Sequence, residues 1–187
     1  MRKLKLQMHI SLDGFVATPN GEPSTSTTFT WDDGVSRYSI DNLKNVDCIL
    51  LGRNTAEGFI PYWAEVASNP NESEHKLGRL FTDIPKVIFS NELSTSKWDN
   101  TTIVKGKIAE AIKILKNQEG KDIIVYGGVK FVSSLIEEGL VDEYHLLVNP
   151  IALGDGMPIF NGQTPLKLAA STAFECGIVV NQYQPIK

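Results

Sequence analysis

The run Asp122-Ile123-Ile124-Val125-Tyr126-Gly127-Gly128-Val129-Lys130-Phe131 decides how this chain is read. Four residues of strand character stop at two glycines, and a helical pattern (Val132, Leu135, Ile136, Leu140) begins at once. Paired glycines between a strand and a helix let the backbone approach a ligand closely, and the unpaired N–H groups of a helix start face an anion. A phosphate suits such a turn, which points to a nucleotide cofactor. Tight βα geometry alone also explains two glycines, so the turn needs company before it specifies a function.

Outward from that turn, strand and helix patterns alternate. Leu4–Ile10 alternates apolar with polar residues and reads as a strand ending in Ser11-Leu12-Asp13-Gly14. Residues Thr18 to Thr30 carry turn and Ser/Thr chemistry and read as a long loop. Asp32–Val46 reads as a helix, and Val46–Leu51 as a buried strand entering Gly52-Arg53-Asn54-Thr55. Ala56–Gly78 reads as a short helix with a Pro- and Asn-bearing stretch, Pro61-Tyr62-Trp63 being a packing corner. Pro85–Ser90 and Thr102–Val104 read as strands, and Ile108–Gly120 as a helix closed by Gly120. Helix Val129–Glu138, strand Glu143–Val148 and an antiparallel tail over Phe174–Tyr183 follow. The expectation is a mainly parallel sheet with helices on both faces and an antiparallel C-terminal edge.

Composition narrows the function. A chain of 187 residues, 42% hydrophobic and 21% charged, suits one globular domain over 1–187. A net charge of −4 with scattered Lys and Arg argues against a nucleic-acid surface. No apolar stretch reaches transmembrane length, and the start Met1–Leu6 is no signal peptide, so a cytoplasmic protein without membrane contact is expected. Cys48 lies in an apolar run and reads as a buried thiol. His9, His75 and His145 share no ligand spacing with Cys48 or Cys176, so no metal is expected.

Three strand ends close in polar or glycine-bearing turns: Gly52-Arg53-Asn54-Thr55, Ser90-Asn91 and Gly127-Gly128. In open α/β sheets ligands bind outside the carboxyl ends of strands. With these turns come Ser11–Ala17, Asp47–Thr55 with Glu57-Gly58-Phe59, Lys86–Ser90, Glu138–Tyr144, and Pro150–Gly156 with Pro158-Ile159-Phe160. In this order and spacing, they resemble the dihydrofolate reductase-like superfamily. Within it the chain is similar to the reductase (C-terminal) domain of the riboflavin-biosynthesis enzyme RibD. The resemblance implies a dihydrofolate reductase-like three-layer sandwich and an NADPH-dependent reductase. Such an enzyme passes hydride to a C=N or C=O bond of a small heterocycle, pterin- or aminopyrimidine-like.

It also implies roles for single residues. Gly52, Arg53, Asn54 and Thr55 match the turn that meets cofactor phosphates, although Arg53 as a surface cation and Thr55 as a helix cap are the plainer alternatives. Ser90 and Asn91 match the end of the strand that meets the adenosine ribose and its 2′-phosphate, with Lys105 as a further charge. Tyr126, Gly127, Gly128, Val129, Lys130 and Phe131 match the pyrophosphate turn. Ala17 matches the segment covering the nicotinamide, and His9 lies on the strand whose backbone holds the carboxamide.

A proton must come from a carboxylic acid or an ordered water. Asp32 and Asp33 beside Trp31, and Asp13, are the candidates. Helix-start electrostatics for the first two and a turn role for Asp13 explain them equally well. Trp31 and Asp155, the latter in a loop matching one that reaches the cleft, are candidate substrate contacts. One departure stands out. The riboflavin enzymes typically carry glutamate before the two glycines, and Tyr126 replaces it here, which weakens the case for a ribityl-phosphate substrate. A binding module or sensor that keeps the cofactor cleft without efficient catalysis is the alternative. A homodimer formed through the C-terminal strands is expected, and light scattering showing a monomer would refute it.

Overall fold

The computed structural model describes residues 1–22 and 31–186. The part of the Thr18–Thr30 loop over 23–30 lies outside the described residues. The strands form a mixed sheet, mostly parallel with an antiparallel edge, and helices surround it. The chain gathers into two compact units, one of Met1–Lys3 with Ser36–Gly128 and the other of Leu4–Val35 with Val129–Lys187.

The first unit holds strands β3 (Val46–Gly52), β4 (Lys86–Phe89), β5 (Thr101–Val104) and β6 (Asp122–Val125). All pair in parallel, in the order β5-β4-β3-β6. Their apolar runs are covered on both faces, as parallel strands require: Ile49, Leu50, Leu51, Ile88, Ile123, Ile124 and Val125 are fully buried. Around them lie most of α1 (Asp33–Leu43), then α2 (Arg53–Ser68), α3 (His75–Asp83) and α4 (Ile108–Asn117). Arg2 fastens the chain start to this unit, its guanidinium bonding Asp47 and the carbonyl of Lys121.

Two expectations for this unit are corrected. The stretch after Thr55 is one 16-residue helix that contains Pro61. Buried Ala56, Ile60 and Val66 hold it to the core through a residue that cannot donate a helical hydrogen bond. Helix α4 ends at Gln118 rather than Gly120. Gly120 instead has φ +147°, and a Cβ there would come within 2.5 Å of Asp47.

The second unit holds β1 (Leu4–Ile10) parallel to β7 (Glu143–Val148), with β10 (Val179–Pro185) and β9 (Leu166–Ala173) following antiparallel. A small ribbon pairs β2 (Phe15–Ala17) with β8 (Met157–Pro158). The alternation read in β1 does not leave it half-exposed, for even Lys5 and Gln7 are buried. Helix α5 (Val129–Glu137) ends in a Schellman turn. There Gly139 takes φ +62° and the Leu140 N–H reaches the Leu135 carbonyl at 2.9 Å. The antiparallel tail begins at Val179, because Phe174–Gly177 is the turn that joins it to β9.

Candidate active site

In the first unit two turns meet at the carboxyl ends of adjacent strands. The Gly52 N–H, closing β3, donates to the Gly127 carbonyl beyond β6 at 2.9 Å. Gly127 has φ +140°, and the Gly127–Gly128 peptide is cis. A Cβ on Gly128 would stand 2.9 Å from Thr55 Oγ1, closer than real Cβ contacts allow. The two turns therefore approach to a distance that only glycine permits. Helix α2 starts at this crossing with Gly52 at its N-cap and no side chain capping it. Its first N–H groups, the Thr55 hydroxyl and the Arg53 guanidinium thus lie on neighbouring positions of one helix start, a donor set that suits an anion. Arg53 is already balanced, since Nη1 lies 2.6 Å from Glu92 Oε2 and both side chains are solvent-accessible. Asn54, beside it, is exposed.

The next turn belongs to β4. The Ser90 oxygen accepts the N–H groups of Glu92 and Leu93, each at 3.2 Å. Asn91 Oδ1 accepts the Gly106 N–H at 3.1 Å. Both side chains shape the loop after the strand, and Lys105 is exposed in the adjoining turn. The Tyr126 ring belongs to an aromatic cluster. It stacks on Phe59 at 5.6 Å and meets the edge of Phe81 at 5.1 Å. The hydroxyl oxygen is buried without a hydrogen-bond partner among the described residues, and burial pushes its pKa well above the ordinary phenol.

In the second unit the carboxylates are committed to backbone. Asp13 accepts the Ser11 hydroxyl at 2.6 Å and the N–H groups of Leu153 and Gly154, at 3.1 and 2.7 Å. These bonds, the Ser11 hydroxyl first, hold its pKa down at about 2. Asp32 caps α1, Oδ1 accepting the Val35 N–H at 2.8 Å and Oδ2 the Cys176 N–H at 3.0 Å. The same bonds lower its pKa. Both are poor proton donors near neutrality, and both take the turn and helix-start roles that their sequence positions also allowed. Asp33 is exposed in the first turn of α1.

Loop 153–156 is pinned from the other side as well. A Cβ on Gly156 would strike the Ala17 carbonyl and approach Phe15 Cβ to 2.8 Å, and Asp155 bonds its neighbour Gly156 N–H at 2.8 Å. Ala17 itself is buried in β2. Val129 and Lys130 open α5, Lys130 exposed, and Phe131 is buried.

His9 is the titratable group that sequence reasoning undervalued. It packs against Trp31, ring centroids 5.7 Å apart. Asn149, fully buried, gives both amide N–H groups to the carbonyls of Ile10 and Leu147, at 3.0 Å each. His9 Nδ1 lies 3.4 Å from Asn149 Oδ1 and 3.3 Å from its Nδ2, and the imidazole tautomer decides which way that hydrogen bond runs. Burial lowers the imidazole pKa to about 4, against a smaller raising by Asn149, so the ring is neutral at physiological pH. Asn149 lies 140 residues further along the chain, so no local pattern marks the pair.

Among the described residues no cluster of His, Cys, Asp and Glu is placed to hold a metal, and no helix is long and apolar enough to cross a membrane.

A mainly parallel sheet with glycine turns at its strand ends and an antiparallel edge is the architecture of the riboflavin-type reductases. The RibD C-terminal domain matches residues 2–180, and the chain belongs to that family. It is 32% identical over 183 residues to the uncharacterized protein YyaP of Bacillus subtilis (strain 168), covering 95% of this chain and 92% of the relative. It is 27% identical over 176 residues to YwjB of the same organism, covering 92% of each.

Among solved structures it is similar to a putative riboflavin biosynthesis protein from Shewanella sp. PV-4 (TM-score 0.69, 20% identity, all of both chains). It is also similar to a diaminohydroxyphosphoribosylaminopyrimidine deaminase/5-amino-6-(5-phosphoribosylamino)uracil reductase from Thermotoga maritima. That likeness has a TM-score of 0.66 and 14% identity, over 99% of this chain and 57% of that one. At these identities the structures speak for the fold.

Proposed function

We propose that this protein is an NADPH-dependent reductase acting on a small heterocyclic substrate of pterin or aminopyrimidine type. The observation that carries the reading is the crossing of the Gly52–Thr55 and Gly127–Gly128 turns. Thr55 Oγ1 stands 2.9 Å from where a Gly128 Cβ would be, beside a helix start with no side-chain cap. This cradle fits a phosphate: its donors are backbone N–H groups, a hydroxyl and a guanidinium, the last paired with Glu92. Gly52, Arg53, Asn54, Thr55, Gly127 and Gly128 would hold the cofactor phosphates, with Ser90, Asn91 and Lys105 toward the adenosine end. The bound cofactor supplies the hydride.

The chain's own contribution is to bind and orient. In the second unit, the backbone of β1 at His9 and the segment at Ala17 are assigned to the nicotinamide, and Trp31 and Asp155 to the substrate. Asp13 and Asp32 are held ionised by their hydrogen bonds, so ordered water rather than either carboxylate delivers the proton. The same observation favours a second reading, a nucleotide-binding module or sensor without efficient turnover.

Titrating NADPH and NADH by fluorescence, then following NADPH consumption with pterins, aminouracils and quinones, separates these readings. NADPH binding with turnover of one substrate class is the expected result. Binding without turnover on any of them favours the module, and failure to bind either cofactor removes both readings.

A further inference from the structure

The geometry points to a second small-molecule site in the first unit, for a planar aromatic acid, in a cavity of ≈ 310 Å³ between α2, α3 and the 97–100 loop. No residue of the Gly52–Thr55, Ser90–Asn91 or Gly127–Gly128 turns lines it.

One part of the wall is aromatic. Phe59, Trp63 and Phe81 pack within 6.1 Å of one another, centroid to centroid, and Trp98 lines the cavity with them. Flat rings offset-stack or meet edge-on with such walls, and a volume near 300 Å³ is the lower range for small-ligand pockets.

Another part is cationic. Lys86, only 3% exposed, lines the cavity. Its ammonium donates to the carbonyls of Thr82 at 2.9 Å and Ile84 at 2.7 Å, at the C-terminal end of α3. An ammonium has three protons to donate, and the third has no acceptor among the described residues. A buried cation lacking one acceptor beside an aromatic wall calls for a ligand that brings the oxygen. Burial also lowers the Lys86 pKa to about 8, with the charge of Asp83 offsetting part of the shift, and a ligand anion would offset more of it.

Lys97 adds a second positive charge. It lies 4.8 Å above the Trp98 ring and is bound to Glu57 at 2.6 Å. Asp99 is the one carboxylate lining the cavity and is exposed. With Lys97 already paired to Glu57, the buried Lys86 is the cation left to meet a ligand, and the class that satisfies it together with the aromatic wall is an aryl carboxylate.

The test uses 2-naphthoate and its uncharged counterpart 2-naphthamide, titrated calorimetrically into the full chain with and without saturating NADPH. Saturable one-to-one binding of naphthoate is expected, about tenfold or more tighter than naphthamide, and unchanged by NADPH. Ala64→Phe fills the cavity from an exposed helix position and should abolish binding with the melting temperature unchanged. Lys86→Met should bring naphthoate down to the affinity of naphthamide. If that variant does not fold, Ala64→Phe and the naphthamide comparison decide the matter. The inference is overturned by absence of saturable binding, by equal affinity for the two probes, by full binding in Ala64→Phe, or by competition with NADPH.

Discussion

The two units use their polar groups in opposite ways. In the first, the strand-end turns carry donors: a helix start with no side-chain cap, Thr55, and an Arg53 paired with the exposed Glu92. In the second, the acids are saturated. Asp13 and Asp32 each accept hydrogen bonds from distant backbone, and burial keeps His9, which is hydrogen-bonded to Asn149, neutral. A helix start without a side-chain cap leaves N–H groups for another partner, whereas side chains engaged in hydrogen bonds hold a scaffold in place. The first unit thus carries the donors that the proposed reading gives to the cofactor phosphates, while the acids of the second are engaged within the unit.

The sharpest way to break this contrast is at Gly128. Gly128→Val drives a side chain into Thr55 Oγ1, 2.9 Å from the Cβ position, and separates the two turns. NADPH affinity should fall by about 100-fold or more, roughly 2.7 kcal/mol, in a fluorescence titration. A change below about threefold would mean that the crossing plays no part in binding.

His9 tests the scaffold. Its proton goes on near pH 4 in the folded chain against 6.5 when unfolded, so the unfolded state binds protons more readily between those values. Stability is then complete above pH 6.5 and drains away as pH falls from 6.5 toward 4, by up to about 3 kcal/mol from this group. Urea denaturation of wild type and His9→Phe across that range should show the slope only in wild type. Equal slopes would place the titration elsewhere. Asp13 contributes in the opposite charge sense and lower, its stabilisation lost only as pH drops from 3.8 to about 2.

At Arg53 the effect is smaller, because the guanidinium is partly exposed and shared with Glu92. Arg53→Ala should weaken NADPH about tenfold, with most of the loss disappearing at high salt. Smallest of all is Asp32→Asn. The amide keeps one acceptor for the Val35 N–H, so turnover should stay within about twofold of wild type while the melting temperature drops slightly. Loss of turnover by orders of magnitude would make Asp32 the proton donor and undo the assignment of that role to water.

The sequence disclosed what depends on local pattern. The apolar runs of β3, β4 and β6 and the dipeptide Gly127-Gly128 announce parallel strands and a ligand-facing turn, because burial on both faces and positive φ each restrict composition. Strand β9 escaped notice: Leu166–Ala173 is rich in alanine and almost wholly exposed, so no buried face leaves a period of two. Pro61-Tyr62-Trp63 reads as a packing corner but lies inside α2, where tertiary burial outweighs the local breaker. The cap of Asp32 on Val35 and the Ser11 bond of Asp13 are local, whereas their second partners and the partner of His9 lie about 140 positions away, which no spacing rule reaches. Both cavity parts, Lys86 and the Trp63–Phe81 wall, likewise come together only through the packing of α2 on α3.

The most direct test is a map of backbone amide shifts in isotope-labelled protein as NADPH is added. The N–H signals of Gly52 to Thr55, Gly127 and Gly128 should move together and saturate with one affinity. Saturation with those signals unmoved, and the changes confined to the cavity around Trp63 and Trp98, would contradict the placement of the cofactor phosphates at the crossed turns.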